Sequence, residues 1–468
     1  MGVTQQTIEF SPSPHGDEAE QSPHGVGRGE AQETPVHEGA ETSVEKRTAE
    51  SLASNQLLEE VLSRGNLKKA LQRVKSNGGA PGVDGMTVDE LPEYLKANWA
   101  ALKEQLLSGK YKPQPVRRVE IPKPDGGVRK LGIPTVVDRF IQQAFLQVLQ
   151  KYWDSTFSDS SYGFRPGRSA HHAVRRAQQY IQQGYSWVVD LDLEKFFDRV
   201  NHDRLMAKVA ERVKDRRVLK FLHSCLVTGV LENGLVSAID EGTPQGGPLS
   251  PLLSNIVLDE LDRELTKRGH RFVRYADDAN IYVRSLKAGK RVMASIARFI
   301  TKLLKLKVNE AKSAVDRPQN RKFLGFSFTK TNRRQLAAKV VQRFREKVRV
   351  LTNRTSGRSM GQVMTQLKLY LSGWLQYFGI AQSKQDFRLL DSWIKRRLRC
   401  MIWKQWGTRG KRYRELRRLG VRSYTAWVTI KSGHGPWRLS RSPAVQQVLS
   451  GAFFKALGLP SLVDGLRA

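Results

Sequence analysis

The chain has 468 residues, with 79 Lys and Arg against 45 Asp and Glu, for a formal net charge of +34. Such an excess of bases predicts a polyanionic partner, nucleic acid or an anionic membrane surface, because bases on phosphates release condensed counterions. Its two cysteines, Cys225 and Cys400, exclude a disulfide framework and a multi-cysteine zinc module. The longest uncharged run, 242–258, is broken by Pro and Gly. No membrane-spanning helix is therefore predicted, and cytoplasm is the expected compartment.

The first 50 residues differ in composition from the rest of the chain. They contain ten acids and three bases, few large apolar residues, and neither helical nor strand periodicity. Such a segment buries too little surface to offset the entropy of ordering it. The sequence predicts an acidic disordered tail over 1–50, and the remaining 418 residues carry a net charge of +41.

Local patterns predict the first elements after the tail. Apolar residues at helical spacing predict one helix over 57–74, which runs into the turn-rich stretch 77–82. Strands are predicted over 116–121 and 128–133, joined by a turn into a β-hairpin rich in Lys and Arg. An exposed β-hairpin whose Lys and Arg side chains only keep it soluble would show the same pattern. Further helices are predicted over 137–152 and 170–183 and, after residue 334, around 340–351, 367–378 and 394–401.

Two segments combine apolar, strand-like residues with acids, which is costly unless a partner or a metal neutralises the charge. In the first, the two-residue period of a strand puts Asp190 and Asp192 on the same face. In the second, two apolar runs flank Asp277 and Asp278, which predicts a hairpin with both acids at its turn.

An Asp pair between strands is also ordinary turn chemistry, because Asp bonds its own backbone. The presence of both segments favours a catalytic interpretation instead. Phosphoryl transfer by two Mg²⁺ ions needs carboxylates from separate elements that converge around the metals. Mg²⁺ prefers hard oxygen ligands, so three Asp side chains with water and a nucleotide would form a suitable shell.

The tetrad Tyr275-Ala276-Asp277-Asp278 resembles the polymerase motif of reverse transcriptases. The chain from residue 57 onward resembles a bacterial group II intron reverse transcriptase and maturase, nearest to the class C type. The tetrad alone is a weak signal, but seven further blocks in the family's order are a strong one. These blocks are NGGAPGVDGMT (77–87), IPKPDGGVRKLGIP (121–134), YGFRPGR (162–168), the first acid-bearing block (190–202), GTPQGGPLSP (242–251), LKVNEAKS (306–313) and FLGFSF (323–328).

The resemblance implies an α+β fold of the right-hand polymerase type. Fingers and palm, an antiparallel sheet with helices, are expected over 51–335. An α-helical thumb, the X domain, is expected over 336–408, where LSGWLQYF (371–378) resembles the maturase signature. A short basic DNA-binding region is expected over 409–468. The nine histidines form no metal-ligand cluster with cysteine, so no endonuclease module is predicted.

The resemblance also implies the metal ligands. Asp192, Asp277 and Asp278 match the family's catalytic carboxylates and, with the main-chain carbonyl of Leu193, its ligands for two Mg²⁺ ions, with Mn²⁺ as an alternative. Asp190 is then expected to be a supporting acid.

Four other residues match positions around the incoming nucleotide. Lys123 and Arg129 match residues that contact the triphosphate, which suits an ammonium and a forked guanidinium. Gln245 matches a residue beside the sugar. Phe197 matches the gate against a ribose 2′-OH, which lies five residues after the first metal ligand, Asp192.

The implied function is an RNA-directed DNA polymerase that extends a primer 3′-OH and assists splicing and mobility of its host intron. Its implied partners are an RNA template, intron RNA, a DNA primer, target DNA and dNTPs, without a membrane; the oligomeric state is left unassigned. Two alternatives stay open: a domesticated reverse transcriptase in defence or repair, and an RNA-binding splicing factor with a vestigial polymerase site. The complete set of three aspartates argues against the second.

Overall fold

A computed structural model describes residues 56–122, 127–232, 235–237, 242 and 246–467. The described residues form two compact units, 56–332 and 333–467. The predicted acidic tail over 1–50 lies outside the described residues, and the finer domain boundaries drawn from the resemblance stay predictions. None of the helices in these ranges combines the length and the apolar character needed to cross a membrane.

The first unit contains both helices and strands, an α+β arrangement. Its helices are α1 (Leu57–Val61), α2 (Arg64–Asn77), α3 (Leu91–Leu107), α4 (Val136–Asp154), α5 (Ala170–Gln182), α6 (His202–Arg212), α7 (Arg216–Val227), α8 (Ser250–Lys267) and α9 (Leu286–Lys302). Its strands are β1 (Val116–Pro122), β2 (Val128–Ile133), β3 (Trp187–Leu191), β4 (Val230–Glu232), β5 (Leu235–Ser237), β6 (Arg271–Tyr275), β7 (Asp278–Val283), β8 (Ala314–Asp316) and β9 (Phe326–Phe328).

Two four-stranded sheets organise this unit. One has the order β2-β1-β4-β5 and is mixed, because β1 runs parallel to β4 and antiparallel to β2. The other has the order β6-β7-β3-β8 and is antiparallel throughout. In β7, five consecutive residues from Ala279 to Val283 are buried, as expected of a strand covered on both faces. Helix α9 contributes Val292, Ile296 and Ile300 to the core, at the four-residue spacing of one helix face.

The prediction of one helix over 57–74 is wrong, because the chain forms α1 and α2 with a break at Ser63. Ser63 has extended dihedral angles, φ −61° and ψ 141°. The Asn66 side chain donates a 2.7 Å hydrogen bond to the carbonyl of Val61, which satisfies a carbonyl left unpaired where α1 ends. Both helices bury their apolar residues in the same core, so the apolar spacing continues through the break.

The second unit is mainly helical, as its apolar periodicity predicts. Its elements are β10 (Arg334–Leu336), α10 (Ala338–Leu351), α11 (Met360–Phe378), α12 (Lys384–Gln405), α13 (Arg409–Arg418), α14 (Ser423–Lys431), α15 (Pro436–Leu439), α16 (Pro443–Val448) and α17 (Gly451–Ala456). The Trp374 ring lies at the centre of the α10–α12 core, 4.5 Å from the Phe344 ring and 5.6 Å from the Phe387 ring between centroids. The predicted helices around 340–351, 367–378 and 394–401 are confirmed.

Candidate active site

The Asp277-Asp278 pair lies at the tight turn between β6 and β7. Tyr275 pairs with Asp278 across the hairpin, so Ala276 and Asp277 are the two central residues of the turn. Ala276 has a positive φ of 56°, which such two-residue hairpin turns require. The turn therefore presents both carboxylates at one end of the antiparallel sheet.

Asp192 lies at the same end of this sheet. Strand β3 runs antiparallel to β7 with Leu191 opposite Ala279, so the next residue, Asp192, follows opposite Asp278. The backbone of Asp192 is held on its other side. Its N–H donates to Ser313 Oγ at 3.0 Å, and its carbonyl accepts from the N–H of Asn309 at 2.8 Å.

The acids at this sheet end affect one another's protonation. Loss of hydration raises the pKa of Asp278 to about 7, with further increases from Asp277, Asp190 and Asp192. Loss of hydration also raises the pKa of Asp277, and Asp192 again adds to the increase. Part of the Asp278 surface nevertheless stays open to solvent. A bound cation would relieve the mutual repulsion of these carboxylates, and a ligand from solvent can reach them.

The donor set at this sheet end suits a divalent metal, although its side chains do not form a ligand shell as they stand. Within the described residues, no group of three His, Cys, Asp or Glu side chains is arranged to hold a metal ion. Asp192 Oδ2 instead lies 3.9 Å from Lys312 Nζ. Leu193 is buried and forms a β-bridge with Val308. Three carboxylates supply the hard oxygen atoms that Mg²⁺ and Mn²⁺ prefer.

Asp190 forms an ion pair with Arg321. Nε and Nη2 of Arg321 donate to Asp190 Oδ2 at 2.9 and 2.6 Å, and Nη2 also donates to the carbonyl of Lys312 at 2.6 Å. Burial raises the pKa of Asp190, while the Arg321 hydrogen bonds lower it. The Asp190 carboxylate is therefore engaged in joining β3 to the segment after β8.

Arg129 and Phe197, two of the residues predicted to contact the nucleotide, lie on different elements. Arg129 lies exposed on β2, and its charge lowers the pKa of Asp277. Phe197 is half-buried in a short 3₁₀ turn, its ring 5.3 Å from the Phe196 ring in an edge-to-face arrangement. A Cβ on Gly242 would lie 2.6 Å from the Phe197 carbonyl oxygen, so this glycine permits close backbone approach. Lys123 and Gln245 lie outside the described residues.

Sequence reasoning missed the buried support beneath the turn. Arg274 and Asp262 are both fully buried and form an ion pair, with Nη2 of Arg274 at 2.5 Å from Asp262 Oδ2. A signal was present in the sequence, because Arg274 is a base inside the apolar run of β6. A buried base needs an acid partner, but its identity depends on how α8 packs against the strand.

Two family models match the chain, in the order of its two units. "Reverse transcriptase (RNA-dependent DNA polymerase)" matches residues 121–328, and "Group II intron, maturase-specific domain" matches residues 341–420. All three candidate carboxylates lie within the first match.

Curated relatives and solved structures also match. Protein YkfC of Escherichia coli (strain K12) is 42% identical over 227 residues, which cover 47% of this chain and 60% of YkfC. The group II intron-encoded protein LtrA of Lactococcus lactis subsp. cremoris is 36% identical over 206 residues, covering 44% of this chain and 34% of LtrA. The chain thus spans between a third and three fifths of these relatives' lengths. A partial Cas6-RT-Cas1–Cas2 complex matches with 25% identity, covering 52% of this chain and 42% of that chain, at a TM-score of 0.33.

The expected family is confirmed by the two matched domains and by the similarity to LtrA, whereas the bacterial, class C assignment stays a prediction. Reverse transcriptase domains typically use divalent metals, in keeping with the carboxylates at the sheet end. The chain thus contains a reverse transcriptase domain over 121–328, followed by a group II intron maturase-specific domain over 341–420.

Proposed function

We propose that this chain is an RNA-directed DNA polymerase of a group II intron, which extends a primer 3′-OH on an RNA template. The observation that carries the proposal is that Asp192, which follows β3, and Asp277 and Asp278, at the β6–β7 turn, share one end of an antiparallel sheet. All three lie within the residues that match the reverse transcriptase family.

In the proposed reaction, Asp192, Asp277, Asp278 and the main-chain carbonyl of Leu193 would hold two Mg²⁺ ions, with Mn²⁺ as a substitute. When bound, these ions lower the pKa of the primer 3′-OH and stabilise negative charge on the pyrophosphate that leaves. The aspartates contribute a concentrated negative charge at a solvent-accessible sheet end. The backbone bonds of Asp192 to Ser313 and Asn309 would hold its carbonyl and amide steady while its side chain turns toward the metals.

Four residues are proposed to select the nucleotide. Arg129 would grip the triphosphate with a forked guanidinium, and its influence on Asp277 supports this assignment. Lys123, six positions earlier in the sequence, would add a point charge. Phe197 would block a ribose 2′-OH with its ring, and Gln245 would lie beside the sugar.

The thumb (336–408) and C-terminal region (409–468) are proposed to bind nucleic acid, and the maturase role rests on the match over 341–420. Intron RNA and the template–primer duplex would contact the basic faces of α10–α12 through phosphates and 2′-hydroxyls. Target DNA would contact the region after residue 408. There, α14 exposes Tyr424 and Trp427, and Lys431 Nζ lies 3.7 Å from the centre of the Trp427 ring. Aromatic rings beside bases are typical of surfaces on which nucleobases stack.

The proposal is tested by primer extension on an RNA template in Mg²⁺, together with splicing of the RNA that flanks the gene. DNA synthesis by the wild-type protein, with a metal requirement, is the expected result. Splicing activity without DNA synthesis would instead favour the vestigial polymerase site. DNA synthesis without any intron RNA structure in the flanking sequence would favour the domesticated enzyme.

A further inference from the structure

Arg274 lies on β6, the edge strand of the sheet that carries the candidate active site, and uses every donor of its guanidinium. Nε and Nη2 donate to the two carboxylate oxygens of Asp262 at 2.8 and 2.5 Å. Nη1 donates to Asn255 Oδ1 at 3.0 Å and to the carbonyl of Ala276 at 2.9 Å. Nη2 also donates to Ser161 Oγ at 2.8 Å. These bonds account for all five N–H groups of the side chain.

The bond to Ala276 connects this buried group to the candidate carboxylates. The Ala276 carbonyl belongs to the peptide bond that joins Ala276 to Asp277, so Arg274 holds the peptide plane immediately before the first acid. Ala276 has a φ of 56°, and a non-glycine residue keeps such a conformation only when its surroundings enforce it. The guanidinium is one such constraint.

The loop around Ser160 supports the same turn from a second side. The N–H of Arg274 donates to the Ser160 carbonyl at 2.8 Å, and Asn255 Nδ2 donates to the Gly163 carbonyl at 2.9 Å. A Cβ on Gly163 would lie 2.3 Å from the Ala276 nitrogen. Gly163 therefore contacts the turn backbone directly, and Asn255 joins this loop to Arg274.

Stability alone is a weak reason for this arrangement. A buried ion pair gains little over apolar side chains of similar volume, because desolvating both charges offsets their attraction. The planar guanidinium of Arg instead fixes the directions of its hydrogen bonds, whereas the ammonium of Lys, on a flexible stem, does not. Its five bonds tie α8, the 160–163 loop and the turn into one unit with a defined geometry.

We propose that Arg274 is a positioning residue: held by Asp262 and Asn255, it fixes the Ala276–Asp277 peptide so that Asp277 and Asp278 face Asp192. This inference rests on the proposed polymerase function. It predicts that loss of the fork changes the rate of DNA synthesis, because a displacement of about 1 Å in a reacting group costs about 10²-fold. Affinity for template–primer should change little, since Arg274 is buried and touches no solvent.

The test uses Arg274→Lys in the full chain, which keeps the charge and removes the fork. We expect kcat to fall about 10- to 100-fold while KM for template–primer and for dNTP stays near the wild-type value. We also expect faster amide hydrogen exchange in the peptide over 272–282, measured by mass spectrometry without metal or substrate. Asn255→Ala, which removes one acceptor and the bond to Gly163, should show the same two changes with smaller size.

Asp215→Asn is the matched control. Asp215 is buried, accepts the Leu58 N–H at 3.1 Å and pairs with Arg217 at 2.9 Å, on elements other than β6, β7 and α8. This variant should lower the melting temperature but keep wild-type kcat and wild-type exchange over 272–282.

Wild-type kcat in a folded Arg274→Lys protein would overturn the inference. So would an equal loss of kcat in Asp215→Asn at an equal loss of melting temperature, because the effect would then be one of stability. If Arg274→Lys does not fold, Asn255→Ala decides: wild-type kcat and exchange would refute the positioning role. Absence of DNA synthesis by the wild-type protein would refute the proposed function instead. Amide hydrogen exchange over 272–282 would still show whether Arg274 holds the turn in place.

Discussion

The β6–β7 hairpin and the β1–β2 hairpin belong to the same unit and both carry charged residues, but their surroundings differ. Beneath the β6–β7 turn, Arg274 and Asp262 are fully buried and every guanidinium N–H is bonded. On β2, Arg129 and Lys130 are exposed, and Lys130 pairs with Glu120 only at 3.9 Å. Fixed groups of the first kind suit the reacting centre, whereas exposed bases of the second kind suit a mobile anionic substrate. Substitutions at the β6–β7 turn should therefore change the rate of DNA synthesis, and substitutions on the β1–β2 hairpin should change the affinity for the nucleotide.

The largest effect is expected from Asp277→Asn. DNA synthesis should fall about 10³-fold, because removing one preorganised electrostatic group from a reacting centre costs about 10²- to 10³-fold and here a metal ligand is also lost. RNA binding should persist, since the change removes negative charge. Primer extension and fluorescence anisotropy measure the two quantities.

Asp89→Asn is the control for this change, because Asp89 is an exposed acid of the same unit. It should keep wild-type synthesis. Near wild-type synthesis in Asp277→Asn would show that Asp277 is not a catalytic residue. It would also contradict the expected difference between the two hairpins.

Arg129→Ala should raise KM for dNTP about 10- to 100-fold, because a hydrogen bond to a charged group contributes about 1.5–3 kcal/mol. The value of kcat should change less. The effect should shrink as salt is raised, because exposed charges are screened. Steady-state kinetics at two ionic strengths provide the measurement, and an unchanged KM would argue against a triphosphate contact.

Phe197 is intermediate in exposure between the buried Arg274 and the exposed bases of β2, since Phe197 is half-buried and its ring packs against Phe196. Phe197→Ala should lower the preference for dNTP over rNTP about 10- to 100-fold, the range that steric fit in a pocket supplies. Phe197→Tyr keeps the ring and should keep the preference. Competition between the two nucleotides in primer extension gives the ratio, and equal discrimination in Phe197→Ala would exclude the gate.

The smallest effect is expected from Lys130→Ala. Lys130 neighbours Arg129 on β2, so its side chain points to the opposite face. Its exposed pairing with Glu120 contributes about 0–1 kcal/mol. KM for dNTP should change less than about twofold in the assay used for Arg129. An increase as large as that of Arg129→Ala would mean that the β1–β2 hairpin acts through its total charge and not through one guanidinium.

Local pattern predicted some elements well and missed others. The hairpin strands β1 and β2, the β6–β7 hairpin and the helices α4 and α5 agree with the predictions within a few residues. These segments have strong periodicity or clear turn residues. The helices α3, α6, α7, α8 and α9 were not predicted. The break at Ser63 was missed because apolar spacing records which residues face the core, and both short helices face the same core.

For the candidate site, sequence pattern and resemblance supplied the acids but not their supports. Asp190 and Asp192 share a strand and differ in surroundings: Asp190 pairs with Arg321, 131 positions away, and Asp192 bonds through its backbone to Ser313 and Asn309. The two-residue period of the strand puts both acids on one face, so it does not indicate which of them is the metal ligand.

The sequence by itself determined the identity of the acids, the strands that carry them and their order along the chain, because side-chain alternation and turn chemistry are local properties. Tertiary structure alone decided that Arg274 pairs with Asp262 and also bonds Ser161, 113 positions away. A buried guanidinium takes whichever acceptors packing brings within reach, and no local pattern along the chain records that choice.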